Sequence, residues 1–261
     1  MKIGLIGNGS ISRYAQHHLM SSGHQIDTIL VRPDRVSHAP NDGPTLISDP
    51  VQFPDDLDLI ADCAGHQALA HYGPDILRAG YTLVTVSIGA LADQELHKTL
   101  QQAATKGNGT LVLATGAIGA LDTLRSAQVG TLKSVRYIGR KPPQGWRGSA
   151  AESKLDLSDL KDGAKTHFQG SARQAALEYP KNANVAAAVA LAGVGFDATE
   201  VELIADATVD RNIHEIHAHG DFGSFNFRIE GQALPDNPRS SALAAMSVVS
   251  TIQQHALAIR F

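Results

Sequence analysis

Cysteine is almost absent from this sequence: Cys63 is the only one in 261 residues. That excludes a disulfide framework within one chain and fits a reducing cytoplasm. Aromatic residues are scarce, at 5%, so the core must be built largely from Ala, Val, Leu and Ile. Cationic excess is missing too. The net charge is −4, which gives no basic stripe for nucleic acid. No apolar run approaches the roughly 18 residues that span a membrane. There is no internal repeat and no low-complexity linker. The opening "MKIGLIGNGS" is apolar only briefly before it breaks into glycines, and reads as a first strand, not a signal peptide. The length suits one large domain or two modest ones with real cores.

What is present begins at that glycine turn. "KIGLIGNGSISRYAQHHLMSS" reads as strand, turn and helix, with Gly7, Gly9 and Ser12 at the spacing of G-x-G-x-x-G/A. The first glycine permits the tight turn and the second lets a pyrophosphate approach the backbone. The third position needs a small side chain so that helix and strand can pack. Ser10 and Ile11 open the helix, whose free N–H groups and partial positive charge suit phosphates. A dinucleotide cofactor is therefore expected. The second strand, "IDTILV", ends at Arg32, about 20 residues past the glycines, where an NAD-specific fold usually carries an acidic residue for the ribose 2′-hydroxyl. Arginine there accommodates a 2′-phosphate, so the expectation is NAD or NADP.

"LDLIADCAG", "YTLVTVSIGAL" and "GTLVLATGAIGALD" are further apolar strands, separated by helical stretches. Alternating strand and helix implies a parallel sheet with right-handed crossovers, and ligands bind at the carboxyl ends of its strands. Those ends carry Ala64-Gly65, Ser87-Ile88-Gly89 and Gly116-Ala117-Ile118, small enough for a flat nicotinamide to pass. Ala64, Gly65 and Ser87 are cofactor-binding candidates. Cys63 reads as a buried strand residue in preference to a nucleophile.

Past residue 120 the pattern changes to "VRYIGRKPPQGW", "KTHFQGSARQA", "TEVELIADA", "IHEIHAHG" and "GSFNFRIEGQAL", strand-like with few crossover helices. A smaller α+β domain with a mostly antiparallel sheet is expected beside the Rossmann-type α/β domain. One Ala-rich helix, "YPKNANVAAAVALAGVGF", interrupts it, with Asn182 or Asn184 as cap and Gly193 as stop. The last segment, "NPRSSALAAMSVVSTIQQHALAI", reads as a helix returning to the first domain. The expected boundaries are 1–120 plus 236–261 for the dinucleotide domain and 121–235 for the substrate-binding, catalytic and dimerisation domain. Within "VDRNIHEIHAHG", strand alternation puts His214 on one face with Ile216 and Ala218, and His217 and His219 on the other with Glu215. One histidine thus points where apolar residues point. The trio cannot share a metal, since His214 faces away from the other two, and no metal site is expected.

The blocks "ATGAIGALD", "KPPQGW", "YPKNANVAAAVALAGVGFDATEVELIADA", "NIHEI", "GDFGSF" and "NPRSSALAAMSV" together resemble the L-aspartate dehydrogenase family, over essentially the whole chain. Ser12 departs from the glycine usual there. The resemblance implies NAD(P)-dependent oxidative deamination of L-aspartate and the reverse amination of oxaloacetate, in a cytoplasmic homodimer, with supply of iminoaspartate to NAD biosynthesis in some organisms. It also implies that His214, in Asn212-Ile213-His214, is catalytic, and that Ala117 and Asn184 contact the cofactor. Imidazole titrates near neutrality and can act as acid or base, in keeping with that assignment. The two carboxylates of aspartate need cations or N–H donors; Lys141 and Lys181, with Arg140, are the candidates. Two other readings compete: a reductase of another small dicarboxylate or amino acid, and a non-catalytic NAD(P)-binding sensor.

Overall fold

The computed structural model describes residues 1–36, 43–180 and 184–260, which fall into two units. The first comprises Met1–Gly116 and Ala244–Phe261, the second Ala117–Leu243.

In the first unit, β1 (Lys2–Ile6), β2 (Gln25–Leu30), β3 (Thr45–Ile47), β4 (Leu59–Asp62), β5 (Thr82–Thr85) and β6 (Thr110–Leu113) form one sheet in the order β3-β2-β1-β4-β5-β6. Every pairing is parallel. The sequence dictates this directly: β4 is buried at every position, the near-continuous apolar pattern of strands covered on both faces. Helices α1 (Ser10–Ser21), α2 (Pro33–Val36), α3 (His66–Arg78) and α4 (Gln94–Gly107) make the crossovers. The strand order reverses between β1 and β4, and a crevice opens at their carboxyl ends, where doubly wound sheets bind ligands.

The second unit starts with α5 (Leu121–Ala127), then β7 (Leu132–Lys141), β8 (Ala164–Ser171), α6 (Ala172–Glu178), α7 (Asn184–Ala192), β9 (Glu200–Asp206), β10 (Asn212–Gly220) and β11 (Gly223–Gly231). The sheet order is β11-β10-β7-β9-β8. Only β7 with β9 is parallel; the other three pairs are antiparallel, as the expected α+β class requires. A short pair, β12 (Ala233–Leu234) and β13 (Asn237–Ser241), closes the unit. The chain then enters α8 (Ala242–Ala256), whose Val248, Val249 and Ile252 join Ile3, Leu5 and Leu59 in the core of the first sheet.

Local chemistry accounts for two departures from the sequence reading. "GSARQA" continues the expected strand, yet α6 starts there because Ser171 and Gln174 form a capping box, each side chain bonding the other's backbone N–H. "NPRSS" is strand β13, so the final helix begins at Ala242, later than the pattern suggested.

Candidate active site

In the first unit, a cleft of about 850 Å³ lies over the carboxyl ends of β1, β2 and β4. Gly7 makes its floor. Its φ of +85° is a left-handed backbone, and a Cβ there would stand 2.8 Å from Ala64 Cβ, so glycine is required on two counts. Its N–H donates to the Leu30 carbonyl at 2.8 Å, tying the turn to β2. A Cβ on Gly9 would meet nothing within 4 Å. Gly9 caps α1 without any side-chain hydrogen bond, so the N–H groups at the head of α1, from Ser10 and Ile11 onward, remain for an anion. Gly65, at φ +99°, heads α3 in the same uncapped way. This cradle fits a dinucleotide pyrophosphate.

Charge in the cleft has one sign. Among the described residues it is lined by Arg13, Arg32 and Arg35 and by no carboxylate. Asp34 reaches Arg32 at 3.8 Å and Arg35 at 3.6 Å; all three side chains are well exposed, and such pairs hold each other weakly. Cys63 lines the cleft, but burial, with Asp62 beside it, pushes its thiol far above the ordinary range, so it is no nucleophile at neutral pH. Asp62 was not anticipated. It is fully buried at the end of β4 and accepts from Thr85 Oγ1 (2.8 Å), Ser87 Oγ (2.6 Å) and the Ala64 N–H (2.9 Å). Burial raises its pKa against the pull of those donors. Ser87 therefore spends its hydroxyl bracing the loops and is not among the residues lining the cleft.

The second unit gathers a different chemistry on one face of its sheet. His214 stands opposite Gly139 across the β7–β10 ladder, and Ile216 opposite Tyr137. Tyr137, Gly139 and Lys141 alternate onto the face that His214 and Ile216 share. His214 is 4% exposed; its Nδ1 lies 2.8 Å from Tyr137 Oη, with the ring centres 6.0 Å apart and the planes 19° from parallel. Burial first, and the Lys141 charge second, lower the imidazole to about 3, so the ring is neutral at working pH. Tyr137 is buried and its phenol is pushed above its ordinary value. The Lys141 ammonium lies 4.8 Å over the Trp146 ring, and desolvation lowers it to about 8.

Trp146, wholly buried, anchors this corner by donating from Nε1 to the Ile204 carbonyl at 2.9 Å. A second buried histidine packs edge-on against it: His167, at 4.3 Å between ring centres. Its Nδ1 meets Tyr179 Oη at 3.1 Å, and burial, with Lys154 and Lys141 nearby, lowers it to about 4. His167 sits where the β8–β9 register slips between Thr166 and Phe168; the sequence pattern carries no sign of that bulge. Arg140, next to Lys141, points the other way and donates to Asp206 at 2.7 Å. His217 and His219 lie on the opposite face of β10, with His219 exposed, and no metal-binding cluster forms among the described residues.

The structure thus brings Gly7, Gly9, Arg32 and Ala64 to one cleft, with Ser10, Ile11 and Gly65 at the heads of the helices beside it. His214 and Lys141 share the second site with Tyr137. Asn184 opens α7, and Ala117 follows Gly116, whose φ is +73°; both belong to the second unit. Lys181 and Asn182 lie outside the described residues.

A dinucleotide cradle in one unit, and in the other a mostly antiparallel sheet carrying a buried neutral histidine, define a class, the two-domain nicotinamide-dependent oxidoreductases. Residues 5–114 match the family described as homoserine dehydrogenase, NAD binding domain, and residues 122–255 match aspartate dehydrogenase, C-terminal. The chain is 52% identical to the L-aspartate dehydrogenase of Ruegeria pomeroyi over 261 residues, covering 100% of this chain and 94% of that protein. It is 38% identical to that of Cupriavidus necator, covering 99% of each. The crystal structure of aspartate dehydrogenase from Thermotoga maritima superposes with a TM-score of 0.78 at 27% identity, covering 100% of this chain and 99% of that one. A hyperthermophilic archaeal homoserine dehydrogenase solved with NADPH shares the fold, with a TM-score of 0.61 at 11% identity. This chain belongs to the L-aspartate dehydrogenase family.

Proposed function

We propose that this chain catalyses the NAD(P)-dependent oxidation of L-aspartate to iminosuccinate, which hydrolyses to oxaloacetate and ammonia, and the reverse reductive amination. Within the family assignment, the observation that carries the reading is the neutral, buried His214 with a lysine ammonium on the same sheet face. Oxidation of an amine to an imine needs a proton acceptor, and hydrolysis of the imine needs an activated water. His214 serves both through Nε2, the ring nitrogen that Tyr137 does not engage. Lys141, charged below about pH 8, attracts a substrate carboxylate; Lys181 is the second candidate for that role.

When bound, the nicotinamide supplies the acceptor for the hydride leaving Cα. Gly7, Gly9 and the heads of α1 and α3 hold the pyrophosphate, aided by Ser10, Ile11, Ala64 and Gly65. Ser87, Ala117 and Asn184 are assigned to the nicotinamide end of the same cofactor. Arg32, with Arg35 beside it, binds a 2′-phosphate without preventing NAD from binding, so both cofactors serve. The family resemblance extends the reading to a homodimer in the cytoplasm that feeds iminoaspartate to NAD biosynthesis. The domain division proposed is a dinucleotide domain over 1–120 plus 236–261 and a catalytic, dimerising domain over 121–235.

The test is absorbance at 340 nm with L-aspartate, D-aspartate, L-glutamate and L-alanine, and in reverse with oxaloacetate and ammonia. Turnover confined to L-aspartate and oxaloacetate supports the reading. Tight cofactor binding without turnover of either would overturn it.

A further inference from the structure

The Tyr137–His214 contact holds more information than a distance. Tyr137 is 1% exposed, and among the described residues its hydroxyl has no partner besides His214 Nδ1 at 2.8 Å. A hydroxyl can donate one hydrogen and accept others. If it accepted from an Nδ1–H, its own hydrogen would be buried without an acceptor, a loss of about 1–3 kcal/mol. If it donates, the phenolic hydrogen is paired and the imidazole hydrogen sits on Nε2, which is not among the buried polar atoms left without a partner. The burial that keeps the phenol protonated keeps that hydrogen available.

We propose that Tyr137 is a positioning residue that donates its phenolic hydrogen to His214 Nδ1, so fixing the resting ring in the Nε2–H tautomer, a hydrogen-bond donor toward the substrate. The tautomer is assigned from hydrogen-bond balance. It rests on the proposed role of His214 as the reacting group. Three features of the sheet hold the arrangement. Gly139 faces His214 across the ladder, and a Cβ on it would come within 2.7 Å of Tyr137 Oη; glycine there gives the phenol room to cross to β10. Leu203 Cδ2, on β9, would stand 3.1 Å from that same Cβ and closes the other side. The ring planes are only 19° from parallel, so the phenol meets the imidazole end-on and its oxygen reaches Nδ1 at 2.8 Å.

The consequence is a division of labour between the two ring nitrogens. Nδ1 is held by the protein and Nε2 is left to chemistry, with no partner among the described residues. In the resting state Nε2–H donates, which suits a carboxylate or carbonyl oxygen of oxaloacetate. For Nε2 to accept a proton from the substrate, the ring must first become the Nδ1–H tautomer, giving the Nε2 hydrogen to solvent and taking one from solvent at Nδ1, while the Tyr137 phenol keeps its own. Rotation of the Tyr137 O–H then turns the phenol from donor to acceptor, and the heavy atoms stay where they are. Phenylalanine in its place would support neither state.

The experiment is two-dimensional ¹⁵N–¹H spectroscopy of the protein labelled at histidine nitrogens, near pH 7. His214 is identified among the 12 histidines by its absence from the spectrum of His214→Asn. The proposal predicts a pyridine-like Nδ1 and a pyrrole-like Nε2 in the wild type. In Tyr137→Phe it predicts mixed tautomers, kcat about tenfold lower, and unchanged NAD(P)H affinity. A pyrrole-like Nδ1 in the wild type would overturn it, as would a Tyr137→Phe ring with the wild-type tautomer. Should the wild type show the predicted tautomer but turn over no L-aspartate, the functional reading fails and the role of Tyr137 stands.

Discussion

Lowering the pH should cost the second unit stability through His214, by an amount the structure sets. The folded ring refuses a proton until about pH 3, whereas an unfolded histidine takes one near pH 6.5. Between those values the unfolded chain binds more protons, so stability is lost as pH falls through that window. From pH 7 to pH 5 the loss is about 2 kcal/mol, growing to about 4 kcal/mol at pH 3. His167, lowered to about 4, adds a similar loss over the shorter window from 6.5 down to 4. Asp62 works the other way, since its raised pKa makes protonation favour the folded state as pH falls, but it lies in the first unit. The assay is urea unfolding at pH 7 and pH 5 without ligand, followed by the emission maximum of Trp146. It is the only tryptophan, is fully buried, and lies in the second unit. Comparing the wild type with His214→Asn cancels every group common to both. The wild type should lose about 2 kcal/mol more than the variant between the two pH values. Parallel pH dependence in the two proteins would refute the claim that His214 is held neutral by burial.

Further expectations concern binding. Arg32→Asp should weaken NADPH binding at least tenfold while sparing NADH, because a charge-assisted hydrogen bond to the 2′-phosphate is worth about 1.5–3 kcal/mol; fluorescence titration with each cofactor reads the ratio. Lys141→Met should raise KM for L-aspartate about 30-fold, corresponding to about 2 kcal/mol. In the wild type the same KM should rise above pH 8 as the Lys141 ammonium is lost, a dependence the variant should lack. Gly7→Ala should cost about 1–3 kcal/mol of backbone strain and push on Ala64, abolishing NAD(P)H binding while L-aspartate turnover falls with it.

Parts of this account were legible in the sequence because they depend on near neighbours. The glycine turn after β1 reads locally, since spacing alone determines which residue needs a left-handed backbone. The inward aim of His214 follows from alternation along one strand. Alternation also separates Arg140 from Lys141: adjacent residues on β7 take opposite faces, and only Lys141 shares the His214 face. The start of α6 was signalled by Ser171 and Gln174 at capping-box spacing, a cue masked by the strand-like run before it. Other features had no local signal. Tyr137 acquires its role only through the β7–β10 register, and His167 through a register slip in β8. Asp62 looks like any acid ending an apolar strand until Thr85 and Ser87 converge on it from β5 and the turn after it.

The central claim is that His214 performs chemistry in a protein whose separate cleft binds the dinucleotide. His214→Ala tests it most directly, with NAD(P)H formation from L-aspartate and NAD(P)H affinity measured on the same sample. The account predicts turnover at least a thousandfold lower, about 4 kcal/mol in the barrier, with cofactor affinity unchanged. Turnover close to the wild type, or loss of cofactor binding in parallel with activity, would contradict it.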